Sequence, residues 1–279
     1  INTTQYIFSI SNSSSHRASV RLESQKIDMS YYDSDGAGYE NTETSSNVIT
    51  SVDTWYHIVW TGISGGTKTV YVNGASQATS SGSTHSQGNE FNIGQKGDDS
   101  GFFNGIITEV AAWDSVITLA EVQAIFNDGV ALDVSSDSGD YESSSDLVGY
   151  WRNDGAVSWS DRSTNSVAGT VFGSPDTILL PEGTTSGKDI LGFPLTHTNN
   201  GWLNLKGNTY TTGSDGTGSF VEVADNDVLD IESAITVEAW LRVDHIGNEM
   251  FALTKDTNQL YGIKITNSGV YQGILKTAG

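Results

Sequence analysis

The sequence predicts an all-β protein, an antiparallel jelly-roll β-sandwich carrying one short helix. Three observations predict it. Short stretches of alternating apolar and polar residues recur along the 279 residues, residues that favour tight turns separate them (31 Gly among these), and a single segment has a capped helical period.

The elements follow in order. Val20-Arg21-Leu22-Glu23 and Lys26-Ile27-Asp28-Met29-Ser30-Tyr31 alternate as half-buried strands do. Trp55-Tyr56-His57-Ile58-Val59-Trp60 is apolar on both faces, which predicts a central strand covered on each side. Thr69-Val70-Tyr71-Val72 runs through Asn73-Gly74 into Ala75-Ser76-Gln77, a hairpin whose type I′ turn needs two positive φ angles. Phe103 to Trp113 is the next long strand. Thr118 and Glu121 stand at capping-box spacing, with Leu119, Val122, Ile125 and Phe126 on one helical face and Gly129 as the expected stop. An acidic, Ser-rich loop with Asp133, Asp137, Asp140, Glu142 and Asp146 precedes a strand at Leu147 to Trp151. Val221-Glu222-Val223 and Thr236 to Val243 are the clearest strands of the C-terminal part.

Composition narrows the function. Hydrophobic residues make up 36%, with 7 Trp, 11 Tyr and 9 Phe, enough for a packed core. The absence of cysteine excludes disulfides and zinc-thiolate sites. No apolar run approaches the length of a membrane helix, so membrane insertion is not expected. A net charge of −21 repels phosphate backbones, which argues against nucleic acid as a partner.

The chain also repeats itself. A shift of 243 positions aligns Phe8 with Phe251, Ile10 with Leu253, Val20 with Ile263, Arg21 with Lys264, Leu22 with Ile265 and Ile27 with Val270. The expected organisation is therefore a sandwich over 1–180 that lacks its first strands, a linker over 181–206, and the opening strands of a second sandwich over 207–279. Chain that begins at Ile1 reads as a cut from a longer one, and the C-terminal strands are expected to be completed by other chain, in the same subunit or a neighbour.

The order Trp55-Tyr56-His57, Tyr71-Val72-Asn73-Gly74, Asn92-Ile93-Gly94 and Phe103-Asn104-Gly105 with Ile107 and Glu109 resembles the laminin-G/pentraxin-like domains of the concanavalin A-like lectin/glucanase superfamily. Phe220-Val221-Glu222-Val223, Leu229-Asp230 and Thr236 to Trp240 look like the opening strands of the same family. The resemblance implies a jelly roll with Trp55, Trp60, Trp113 and Trp240 in its core. The connector from Leu179 through Pro181-Glu182-Gly183 to Asn200-Gly201-Trp202 is similar to those of tandem laminin-G-like proteins of marine bacteriophages and bacteria. That likeness implies a virion surface or extracellular setting, with neighbouring copies or domains as partners.

The superfamily contains glycosidases, which need paired carboxyls. No single strand carries such a pair on one face, and the five histidines show no metal or nucleophile-elbow spacing, so no catalytic residue is expected. Calcium is the cofactor the acidic, Gly-flanked turns suit, with Asp33 and Asp35, or Asp98 and Asp99, as ligands. For a cell-surface glycan the aromatic platforms would be Tyr32, Tyr39, Phe102 and Trp159. Two functions remain open: a non-catalytic surface module recognising cell-surface glycan or protein, from a phage fibre or secreted adhesin, and a purely structural fibre or capsid-decoration protein.

Overall fold

The computed structural model describes residues 54–81, 91–95, 102–152, 159–173, 220–231 and 233–243 in full, with Val48, Ser51, Ala252, Leu253 and Ile263; elsewhere it describes strand backbones. The strands are β1 (Gln5–Ser13), β2 (His16–Glu23), β3 (Lys26–Asp33), β4 (Gly38–Glu43), β5 (Trp55–Ile63), β6 (Thr67–Val72), β7 (Ala75–Ser81), β8 (Phe91–Ile93) and β9 (Gly105–Trp113). Helix α1 (Leu119–Phe126) comes next, then β10 (Leu147–Trp151), β11 (Ser158–Trp159), β12 (Gly169–Phe172), β13 (Asp176–Ile178), β14 (Gly187–Lys188), β15 (Pro194–Leu195) and β16 (Trp202–Leu205). The chain closes with β17 (Phe220–Val223), β18 (Ala234–Val243), β19 (Met250–Lys255), β20 (Asn258–Gln259), β21 (Tyr261–Ile265) and β22 (Tyr271–Leu275). The protein is all-β with one short helix, and every strand pairing is antiparallel.

Two large sheets form the sandwich. The central sheet runs β13-β16-β9-β18-β5-β6-β7, with β10 also on β9, and the opposite sheet runs β11-β12-β17-β8-β19-β21-β22. Between them lies the larger core. Ile58, Trp60, Ile107, Val110, Val237 and Leu241 from one sheet meet Phe91, Ile93, Val221, Val223, Leu253 and Ile263 from the other, all fully buried. Truncating a ring of this kind, such as Trp60, costs about 3–5 kcal/mol through the lost contacts and the cavity left behind. A further sheet, β20-β1-β2-β3-β4, places β1 and β2 alongside β19, β21 and β22.

The C-terminal strand β18 occupies the middle of the central sheet. It pairs with β5 from Ala234↔Ile63 to Arg242↔Trp55, and on its other side with β9 from Thr236↔Trp113 to Val243↔Gly105. Gly105 is required where the two backbones cross: a Cβ there would lie 2.0 Å from the Arg242 carbonyl oxygen. Trp240 is accordingly buried, at 2% exposure; the side chain of Phe251 lies outside the described residues.

The hairpin and the helix follow local rules. Asn73 (φ 50°) and Gly74 (φ 74°) both take the positive φ of a type I′ turn between β6 and β7. Thr118 and Glu121 close both bonds of the capping box, and Val122 and Ile125 are buried. Two details differ from expectation. Leu119 is exposed, because its position in the first turn faces away from the central sheet, and the helix ends at Asn127 in the left-handed region (φ 44°), before Gly129.

Candidate functional site

The second face of the central sheet carries a buried polar centre beneath α1. His57 on β5 and Glu238 on β18 approach to 3.4 Å (Nε2 to Oε2), both within 1% of complete burial. The His57 ring stacks on Trp240 and Phe126, at centroid distances of 5.1 and 5.8 Å, and those two rings lie 5.9 Å from each other. Its backbone is fixed by the hairpin: His57 N donates to Asn73 Oδ1 at 2.9 Å, and Asn73 N donates to the His57 carbonyl at 2.9 Å.

Glu109 enters the same region through a β-bulge. Between the pairs Glu238↔Ala111 and Trp240↔Thr108 the β9 strand holds one residue more than β18, and Glu109 there adopts φ 50°. Val110 keeps its place in the main core, while Glu109 meets Tyr150, whose hydroxyl donates to its Oε2, and Arg152, whose Nε lies 3.4 Å from its Oε1. Arg152 reaches on to Asp133 at 2.9 Å, and its guanidinium lies 5.7 Å from the Tyr150 ring centroid. Burial raises the Glu238 carboxyl above its ordinary 4.5; His57 opposes the shift and Glu109 adds to it. Burial and then Glu109 push the Tyr150 phenol well above its ordinary range.

The two carboxylates come from neighbouring strands more than a hundred residues apart in sequence, so a search along single strands for a catalytic pair misses them. Glu109, Glu238, His57 and Tyr150 are all fully or almost fully buried, closed over by α1 and by the Val134–Tyr141 segment. Trp113 Nε1 donates to Tyr141 Oη at 2.9 Å, and Tyr141 donates to the Val134 carbonyl at 2.9 Å, which holds that cover down. Among the described residues the centre is closed from solvent, and the stacking of Phe126 on His57 ties α1 to the sheet.

An open site lies at the end of the sandwich. Asp114 after β9, Asp146 before β10, Thr164 and Asn165 in the following loop, and Asp227 and Asp230 before β18 line a groove of about 470 Å³. Its walls come from the middle of the chain (114–165) and from the segment that leads into β18 (227–233), brought together by the pairing of β18 with β9. Asp161 shapes one wall by accepting from the backbone of Tyr150, Ser163 and Val167 at 2.8–2.9 Å. The Asp227 wall is a 3-10 turn capped by Asn226, whose Oδ1 accepts from Val228 N at 3.1 Å. Burial first, and then the charge of Asp146, raise the Asp114 carboxyl above its ordinary 3.8. Such a groove accepts hydrogen bonds from hydroxyl-rich ligands and attracts cations. The sequence carried only part of the signal, in the acidic loop ending at Asp146.

The residues expected to bind ligand fall in different places. Phe102 is 6% exposed and packs against Phe220 at 6.3 Å; Trp159 is fully buried in the main core. Neither is a surface platform, because each ring fills space within or beside the sandwich. Tyr32 and Tyr39 are directly paired on β3 and β4. Asp33 pairs with Gly38 in the same ladder, while Asp35, Asp98 and Asp99 lie outside the described residues. Among the described residues no three acidic or histidine side chains converge closely enough to hold a metal ion, and no helix is long and apolar enough to cross a membrane.

No curated protein and no solved structure matches the chain. Residues 2–123 match the family model of the concanavalin A-like lectin/glucanases superfamily, and the antiparallel sandwich with its single short helix agrees with that fold.

Proposed function

We propose that the protein is a non-catalytic surface module that binds a hydroxyl-rich, uncharged or cationic ligand, a cell-surface glycan, in the groove at the end of the sandwich. The observation that carries this reading is the groove itself, open and lined by Asp114, Asp146, Asp227 and Asp230 with the amide of Asn165. Carboxylates and amides are the hydrogen-bonding partners sugar hydroxyls need, and the net charge of −21 disfavours anionic ligands. The family matched over 2–123 includes lectins by its own description, and domains of this kind serve as generic carbohydrate- or protein-binding modules. The sealing of Glu109 and Glu238 under α1 supports a non-catalytic role.

In this reading the setting is extracellular or on a virion surface, in a fibre or adhesin made of tandem sandwiches. Calcium, where it participates, is held by Asp98 and Asp99 or by Asp33 and Asp35. A glycan array probed with the full chain, with calcium and with chelator, tests the proposal. The expected result is retention of neutral glycans, weakened about tenfold by Asp227→Asn, the size of one lost charge-assisted hydrogen bond. Retention of no glycan under either condition overturns it.

A further inference from the structure

The sheet opposite the central one carries a row of aromatic rings on its outer face. Val221 and Val223 on β17 point into the core, so Phe220 and Glu222 alternate to the other side. Strand β12 follows the same phase: Val171 packs against the core, while Thr170 and Phe172 are exposed. The ladder sets Phe172 directly opposite Phe220, and Thr170 directly opposite Glu222.

The rings stack in series. Phe172 lies 4.8 Å from Phe220 with the two planes 12° apart, and Phe220 lies 6.3 Å from Phe102 at 36°. Exposure rises outward, from 6% at Phe102 through half-buried Phe220 to 38% at Phe172, the one exposed aromatic ring among the described residues. Strand β11 pairs with β12 at Gly169 and Thr170, so that ladder stops short of Phe172. Next to the rings on the same face stand the Thr170 hydroxyl and the half-buried Glu222 carboxylate. None of these residues lines the groove at the end of the sandwich.

We propose that Phe172, Phe220, Thr170 and Glu222 form a second binding site, a shelf for one ring of a neutral or cationic saccharide. The C–H groups on one side of a pyranose carry slight positive charge and lie flat on the negative face of an aromatic ring. Its hydroxyls then reach the oxygens beside the ring: Thr170 can donate and accept, and Glu222 accepts. Size selects this occupant over a protein. At 38% exposure Phe172 offers under roughly 100 Å² of ring, against the roughly 800 Å² that each partner gives to a stable protein interface. Charge selects it further, since Glu222 and the net −21 disfavour an anionic sugar. The shelf stands on its own residues and does not depend on what the groove binds.

A glycan array probed with full-length wild type, Phe172→Ala, Phe172→Leu, Phe172→Trp and Asp227→Asn tests the shelf. The expected result is a set of neutral glycans whose retention falls about fivefold in Phe172→Ala and Phe172→Leu, the worth of one ring-face contact, and is kept by Phe172→Trp. Leu keeps most of the bulk and loses the ring, so a role in packing alone would spare it, and it keeps the test readable where Ala does not fold. That set should differ from the set weakened by Asp227→Asn, which reports the groove. Glycans retained equally by wild type and Phe172→Leu overturn the shelf, and leave the groove standing where Asp227→Asn weakens them. One set weakened alike by Phe172→Leu and Asp227→Asn also overturns a separate site. A wild type that retains no glycan overturns shelf and groove together.

Discussion

Glu238 shows how one residue's position sets pH behaviour. Its folded carboxyl titrates above 4.5, so the folded state holds its proton more tightly than the unfolded chain does. The contribution to stability is fully present below 4.5 and is lost as pH rises through the raised folded value. Glu238→Gln keeps the shape and removes the buried charge. The variant should gain little at pH 4 and become progressively more stable than the wild type towards pH 8, read as the difference in Tm; a gap that does not widen with pH contradicts the assignment. Arg152 is the converse case. Arg152→Ala strands Glu109 as an unpaired charge in the interior, and urea denaturation should show a loss of about 3–5 kcal/mol. Neither residue could be singled out from sequence, since the partners Glu109, Arg152 and Asp133 lie on three separate segments and Glu109 is aimed by a bulge that no pattern announces.

At the scale of elements the sequence was most legible where local chemistry decides the structure. Asn73-Gly74 and the Thr118–Glu121 box are set by neighbours within a few residues, and both formed as expected. Gly74→Ala would put a side chain at φ 74° with its Cβ 3.0 Å from Phe126, loosening the wall beside His57; a loss of about 1–2 kcal/mol in thermal unfolding is expected. Glu121 does more than cap. Burial alone would raise its carboxyl, but donors from Ser143, Thr118 and Glu142 outweigh that and bring it below 4.5. Its stabilising effect is therefore present above 4.5 and is lost as pH falls through the lowered folded value. Glu121→Gln should flatten the acid limb of the stability curve, and a variant whose acid limb is unchanged would contradict this. Leu119 was misplaced because the apolar face of an eight-residue helix says nothing about how far the first turn projects beyond the sheet.

For the whole molecule, the decisive fact is non-local: a strand from residues 234–243 lies between two strands that begin at residues 55 and 105. Alternation identified each strand, and the resemblance gave the sandwich, but the order of strands within a sheet depends on pairings that no periodicity encodes. The polar centre and the groove both depend on that order, so both escaped the sequence. Phe102 and Trp159 were candidates for platforms although such rings more often pack, and in the structure both are buried. Hydrogen exchange of the full chain, followed peptide by peptide, tests the arrangement most directly. Amides of β18 should exchange as slowly as those of β5 and β9, through opening of the whole sandwich, with Ala239 and Leu241 among the slowest. Exchange of β18 within the time of exposed strands, while β5 and β9 stay protected, would contradict the account.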